Sequence, residues 1–444
     1  MTTTPEIIDL LIDARWIATV DDDKVLKSHA VAIRGGRIID ILPSNECRKK
    51  YKATETVKLD EHILIPGLIN LHTHAAMSLM RGIADDLPLM EWLEKHIWPA
   101  EGTHLSPKFV YDGTRLACAE MLKGGITCFN DMYFYPDATA KAATEMGMRA
   151  AIGIATLKFP TPYASDADDY LNKGLAVREK WLNHPLISFC LAPHAPYTVS
   201  DSTFERTLTL SEQLNLPIHC HIHETLGEIE SSRQEHKATP IQRLNRLGLL
   251  GPGFIGVHAV HMDETSLKLA ADTGSSIAHC PTSNLKLGCG IAPVARMLQL
   301  GINVGLGTDG AASNNRLDLF GEMKLSALLA KGSTGDASVL PAHKVLKMAT
   351  INGAQALGLA NEIGSIQIGK YADLCAVNLG SMETKPCFDP VSHLINVAGR
   401  ESVTHVWVAG KCCVDHKTLK NLDQNDLDSA IALWQNKLEV RREP

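Results

Sequence analysis

The sequence predicts a (β/α)8 barrel inserted into a composite β-sandwich, and three observations carry that expectation. Between residues 66 and 364, eight short apolar runs alternate with stretches of helical periodicity, which is the rhythm of a parallel barrel. Residues 1–65 read instead as short strands broken by turns. After residue 365 the texture returns to strands, so the two ends are expected to form one β-sandwich domain (1–65 with 365–444) around the barrel (66–364).

Each element has its own justification. At the N-terminal end IIDLLIDARWIATV and SHAVAIRGGRIIDILP are strand-like, and Gly35-Gly36 marks a hairpin. The eight barrel runs are GLINLHTH, GITCFNDMY, RAAIGIATL, ISFCLAPHAP, PIHCHIHE, FIGVHAVHM, SIAHCPTSN and INVGLGTDG. One crossover shows helical grammar in full: Ser106 as N-cap, Pro107 at the first position, an apolar face through Val110, Leu116 and Met121, and Gly124-Gly125 as the stop. Late strands follow in GSIQIGKYADLCAVN and THVWVAGKCCVD. The final stretch NDLDSAIALWQNKLEVRRE places Leu427, Ile431, Trp434 and Leu438 on one face, as a docking helix would.

Composition narrows the class of function. A hydrophobic content of 45% with 21% charged residues is that of a globular chain with a large core. The net charge of -7 comes without blocks of like charge, which argues against nucleic acid or an anionic membrane as partner. A small molecule fits better. No secretory leader pattern and no run of 18 apolar residues is present, so a cytoplasmic location is expected. The eleven cysteines show no C-x-x-C spacing and read as buried free thiols, including the adjacent Cys412 and Cys413.

Barrels build their sites from polar groups at the C-terminal ends of the strands. Here those ends carry His72 and His74, His194, the triplet His219, His221 and His223 with Glu224, His258 and His261, His279, and Asp309. A lone buried histidine is ordinarily a hydrogen-bonded core residue, but three at alternate positions share one face of a strand. His72 and His74 are likewise two apart and enter the barrel together. With a third histidine from the fifth strand and the Asp309 carboxylate, they would make a mixed nitrogen and oxygen shell open to water, as catalytic metal sites are.

An HxH on the first strand, a histidine on the fifth, another on the sixth and TDG on the eighth resemble the amidohydrolase superfamily. The stretches LHTHAAMSLMRGIADDLPLMEWL, DMYFYP, APHAPYT, IHET, HCPTSNLKLGCGIAPV and LGTDGAASNN are similar to the methylthioadenosine/S-adenosylhomocysteine deaminase family. The resemblance implies one divalent metal ion per chain, zinc first and iron(II), nickel or manganese after it, held by His72, His74, His221 and Asp309. It selects His221 within the triplet, with His219 deeper in the barrel and His223 nearer the rim. The fourth strand has no lysine to bridge a second metal. The implied reaction is hydrolytic deamination of 5′-methylthioadenosine, and by extension of adenosine and S-adenosylhomocysteine, to the inosine analogue and ammonia. Glu224 would act as acid and base, Asp309 would take a proton from water, and His258 would hold the hydroxide or stabilise the developing oxygen charge. Glu101 and His194 would bind the nucleoside beside Glu224 and Asp309, and Trp92 would wall the 5′ substituent. The substrate is the one partner expected, without nucleic acid or membrane; a homo-oligomer is left open.

Three other readings compete. A triazine or ammeline chlorohydrolase uses the same scaffold, but chloride needs no proton to leave, and this chain keeps both Glu224 and Asp309. A guanine or cytosine deaminase would leave Glu101 without a ribose to hold. A non-catalytic relic barrel would lack ligands, and none is lacking.

Overall fold

The computed structural model describes residues 5–439. Each of the eight apolar runs forms a barrel strand: Leu68–Thr73, Ile126–Tyr133, Arg149–Thr156, Ile187–Pro193, Ile218–Ile222, Phe254–His258, Ser276–His279 and Asn303–Leu306. They pair in parallel and in sequence order around the sheet. The circle is drawn together where the Asp309 N–H donates to the His72 carbonyl at 3.0 Å. The strands are short and buried on both faces, which is why they read as continuous apolar runs rather than alternating ones.

The second sheet takes its strands from both ends of the chain. In spatial order these are Thr418–Leu419, Lys411–Asp415, Val403–Val408, Leu374–Asn378, Tyr51–Pro66, Glu6–Ala18, Val25–Arg34 and Arg37–Pro43. The seam is antiparallel, with Leu374 opposite Pro66 and Asn378 opposite His62. Alternate seam residues go to opposite faces. Ile63, Ile65, Cys375 and Val377 join the core shared with the barrel, whereas Leu64, Leu374 and Ala376 pack with Ile12 and Trp407 on the other side. The Gly35-Gly36 turn has φ of +60° and +76°, the left-handed pair that a two-residue hairpin needs.

The crossover helix Pro107–Lys123 begins as expected: Ser106 Oγ accepts the Phe109 N–H at 3.3 Å. It stops at Gly124, and Gly125 then takes φ +82°, where a Cβ would stand 2.6 Å from Cys375 Sγ. The C-terminal helix Gln424–Glu439 docks on it. Trp434 and Phe109 meet edge to face at 5.1 Å, and the Trp434 indole N–H donates to Asp112 at 2.7 Å. The end of the expected docking stretch, residues 440–443, lies outside the described residues.

One buried ion pair joins the two sheets. Arg149, at the start of the third barrel strand, donates through Nε (2.9 Å) and Nη2 (3.2 Å) to the two oxygens of Asp373, which also accepts the Ala409 N–H at 2.7 Å. Removing one partner strands a buried charge and typically costs about 3 to 5 kcal/mol. Asp373→Ala is therefore expected to lower the melting temperature by several degrees without changing activity per folded molecule; a calorimetric scan matching the parent would contradict it.

Candidate metal centre and active site

The C-terminal ends of the first, fifth and eighth barrel strands bring four donor atoms together. His72 Nε2 lies 3.1 Å and His74 Nε2 3.3 Å from Asp309 Oδ1, and His221 Nε2 lies 3.3 Å from His72 Nε2. Ligands about 2.0 to 2.2 Å from one ion stand roughly 3 to 3.5 Å from each other, so these separations are the edges of a coordination shell. Two neutral imidazole nitrogens facing each other share no stabilising contact unless a proton or a cation sits between them.

The opposite ring nitrogens explain why these faces turn inward. His74 Nδ1 donates to the Met132 carbonyl at 2.6 Å, and His221 Nδ1 to the His194 carbonyl at 2.8 Å. His72 Nδ1 bonds His219 Nε2 at 3.0 Å. Such outer partners fix the tautomer and aim the lone pair at the metal. Burial lowers His72 to about 4 and pushes His221 well below its ordinary value, which favours the neutral, ligating form. Burial also opposes charge on His74, but Asp309 beside it prevails and raises it to about 9. Asp309 is held well below the carboxylate range, against burial, by His72 and His74. Three inward-facing imidazole nitrogens and one carboxylate oxygen at these separations fit a divalent ion.

Strained backbone marks the same strand ends. Asp309, His258 and His223 take φ of +61°, +70° and +53°, conformations that side-chain-bearing residues adopt at a cost and that concentrate at functional sites. Asp309 is further fixed by Ser283 Oγ (2.6 Å) and Ser313 Oγ (2.8 Å) on Oδ2, and by the Gly310 N–H (2.8 Å) on Oδ1.

Glu224 sits beside the cluster with Oε1 3.7 Å from His258 Nε2. Burial raises its pKa, so the carboxyl is primed to carry a proton. His258 donates from Nδ1 to Asn284 Oδ1 at 2.8 Å, leaving Nε2 toward Glu224.

These groups open into a cavity whose outer wall is largely apolar, with Leu89, Trp92, Leu93, Trp98, Phe134 and Phe159. Its outer lip comes from the helical segments between Leu89 and His104, which follow the first strand. Glu101 and His194 line it too. Tyr133 donates to Glu101 at 2.7 Å, and burial lifts that carboxyl to about 7. His194 Nδ1 bonds Thr198 Oγ1 at 2.9 Å. Trp92 is buried, and its indole N–H has no partner.

Other strand-end residues do something else. His219 lies behind His72, away from the cavity, as expected for the deeper position. His223 does not line the cavity: it is 1% exposed, bonds the His261 carbonyl through Nδ1 (2.9 Å), and accepts the Ile241 N–H at Nε2 (3.2 Å). Its left-handed backbone turns the side chain out of the barrel. His279 is buried without lining the cavity. Sequence reasoning misses Glu228, whose carboxyl oxygens accept the N–H groups of His223 (3.1 Å) and Glu224 (2.8 Å) and so hold the turn that carries Glu224. A signal existed, since Thr225 and Glu228 have capping-box spacing.

The amidohydrolase family profile matches residues 63–413. A 5-methylthioadenosine/S-adenosylhomocysteine deaminase from Saccharophagus degradans is 47% identical over 98% of each chain. Among solved structures, an adenosine deaminase from Xanthomonas campestris with bound zinc superposes with a TM-score of 0.97 at 44% identity, covering 98% of this chain and 100% of that one. An atrazine chlorohydrolase from Arthrobacter aurescens complexed with zinc reaches 0.89 at 25% identity, covering 96% and 100%. With a family profile matching residues 63–413 and relatives this similar along its whole length, the chain belongs to the amidohydrolase family.

Proposed function

We propose that the protein is a metal-dependent hydrolytic deaminase of purine nucleosides, with 5′-methylthioadenosine as its preferred substrate. The observation that carries the reading is the pair of buried carboxyls, Glu224 and Asp309, set around the His72, His74 and His221 cluster at the floor of an apolar cavity. The deaminase names of the relatives agree with it.

His72, His74, His221 and Asp309 would hold a divalent ion, zinc by analogy with the neighbour, which when bound would supply Lewis acidity and bring the pKa of water toward about 7. Asp309 accepts a proton from the attacking water. Glu224, its pKa raised by burial, gives its proton to the ring nitrogen next to the carbon under attack. His258, whose Nδ1–H is given to Asn284, turns the Nε2 lone pair to the same space and holds the incoming hydroxide by accepting its hydrogen bond. The carbon–nitrogen bond then breaks, and ammonia leaves with protons returned through Asp309 and Glu224. Glu101 and His194 position the ribose, and Trp92 forms part of the wall around the 5′ group. The cysteines are free thiols, most of them buried, a usage that fits a reducing cytoplasm. No helix among the described residues is long and apolar enough to cross a membrane.

The substrate order follows from the wall. No Lys or Arg lines the cavity among the described residues. Lys173 instead bonds Tyr163 O and Asp169, each at 2.8 Å. Asp168 is paired with Arg206, and Asp166 caps the helix Ala167–Trp181; these aspartates do not line the cavity. The carboxylate of S-adenosylhomocysteine therefore meets no charge-assisted partner worth about 1.5 to 3 kcal/mol. Methylthioadenosine is expected to exceed S-adenosylhomocysteine in kcat/KM by about 10 to 150-fold. Steady-state rates on both nucleosides, with adenosine, guanine and a chlorotriazine alongside, test it. Equal rates for the two nucleosides would refute the order, and a faster chlorotriazine would refute the deaminase.

A further inference from the structure

Away from the barrel, one edge of the second sheet gathers metal-ligating side chains that this reaction does not use. Strand register brings them together. His62 pairs with Asn378 and His405 with Ala376, so two histidines on strands flanking Leu374–Asn378 share a face. Val406 pairs with Val414, which sets Asp415 beside His405. The chain then reverses through His416-Lys417, with Asp415 opposite Thr418. Both loop residues have positive φ, +45° and +67°, a backbone that hairpins usually obtain from asparagine and glycine. The turn folds His416 over His405, with ring centroids 4.5 Å apart.

The donor atoms converge. Asp415 Oδ1 is 3.6 Å from His405 Nε2 and 3.8 Å from His416 Nε2. One donor atom from each of these residues lies within 4.8 Å of the others. His405 bonds Thr404 Oγ1 through Nδ1 at 2.8 Å, which leaves Nε2 as the inward atom. Lys420 occupies Asp415 Oδ2 at 2.7 Å, so Oδ1 is the oxygen left to the imidazoles. The fourth group is His62, whose ring is 6.2 Å from that of His405 and whose buried Nδ1 has no hydrogen-bond partner. Buried polar atoms are almost always satisfied, and an orphan at the margin of a ligand cluster points to a partner that is not protein.

We propose that His405, His416 and Asp415, with His62 as fourth ligand, form a second divalent transition-metal site, separate from the barrel centre, that ties the last hairpin to the strand Tyr51–Pro66. Three imidazoles and one carboxylate suit Zn²⁺, Ni²⁺ or Cu²⁺ rather than Mg²⁺ or Ca²⁺. Asp415 already stands 3.6 and 3.8 Å from the two imidazole nitrogens, whereas His62 lies outside the donors that are within 4.8 Å of one another and must swing inward to reach the roughly 3 to 3.5 Å separations of a coordinated set. His416, with 84% of its side chain exposed on a two-residue loop, is free to move as the shell closes.

Cobalt(II) added to the metal-free full-length protein, followed by visible absorption and elemental analysis, tests the site. The parent is expected to take up two equivalents, the second raising the melting temperature. His416→Ala and Asp415→Asn change side chains at the surface and stand outside the deaminase machinery. Both are expected to bind one equivalent, keep parental deaminase activity and lose the second thermal shift. A parent that saturates at one equivalent, or variants that still bind two, would overturn the proposal.

Discussion

Replacing Glu224 by Gln is expected to lower kcat by about 10² to 10⁴-fold, some 3 to 5 kcal/mol of barrier, while metal content stays near one ion per chain at the barrel centre. Glutamine keeps the shape of the side chain within the narrow space between His258, 3.7 Å away, and Cys289, whose Sγ lies 3.9 Å from Oε1. What it removes is the proton that burial makes available. The turn itself is held by Glu228 through backbone N–H groups, so its geometry does not depend on residue 224 having a charge. Turnover within threefold of the parent would remove Glu224 from the acid and base role. Loss of the metal together with activity would show it to be a structural support of the cluster.

The second large effect separates two histidines that the sequence places two residues apart. His221→Ala is expected to weaken metal binding by more than the roughly 10 to 100-fold that loss of an outer partner costs, because a coordinating atom itself disappears. His223→Ala is expected to keep the metal and to lose stability instead, by about 1 to 3 kcal/mol, since the Ile241 N–H and the His261 carbonyl would be left buried without their partner. Elemental analysis of both purified variants, with a thermal scan of each, decides the matter. Equal metal loss in the two would mean that His223 reaches the ion.

The contrast shows where sequence reading succeeds and where it stops. Period-two spacing sends the triplet toward one face, and for His219 and His221 the strand Ile218–Ile222 obeys it. His223 lies one residue beyond that strand, and a left-handed φ, which no side-chain pattern announces, redirects it. The eight strands were legible because a barrel strand buried on both faces must be apolar throughout. The donors His72, His74 and Asp309 were legible because strand ends are where a barrel displays polar groups. Less visible were the groups that aim them. Two of the acceptors are backbone carbonyls, of Met132 and His194, which carry no sequence signature. Ser283, Ser313 and Asn284 are ordinary polar residues until the fold sets them against Asp309 and His258. The apolar outer wall depends on how the helical segments after the first strand fold across the barrel mouth, a tertiary fact.

Titrating metal-free protein with zinc while following ammonia release from 5′-methylthioadenosine tests whether the barrel is a metal-dependent deaminase. One ammonia per nucleoside consumed is expected, with activity that rises with added zinc and levels off once the barrel centre holds one ion. No ammonia at any zinc loading, or full activity in the metal-free protein, would contradict it.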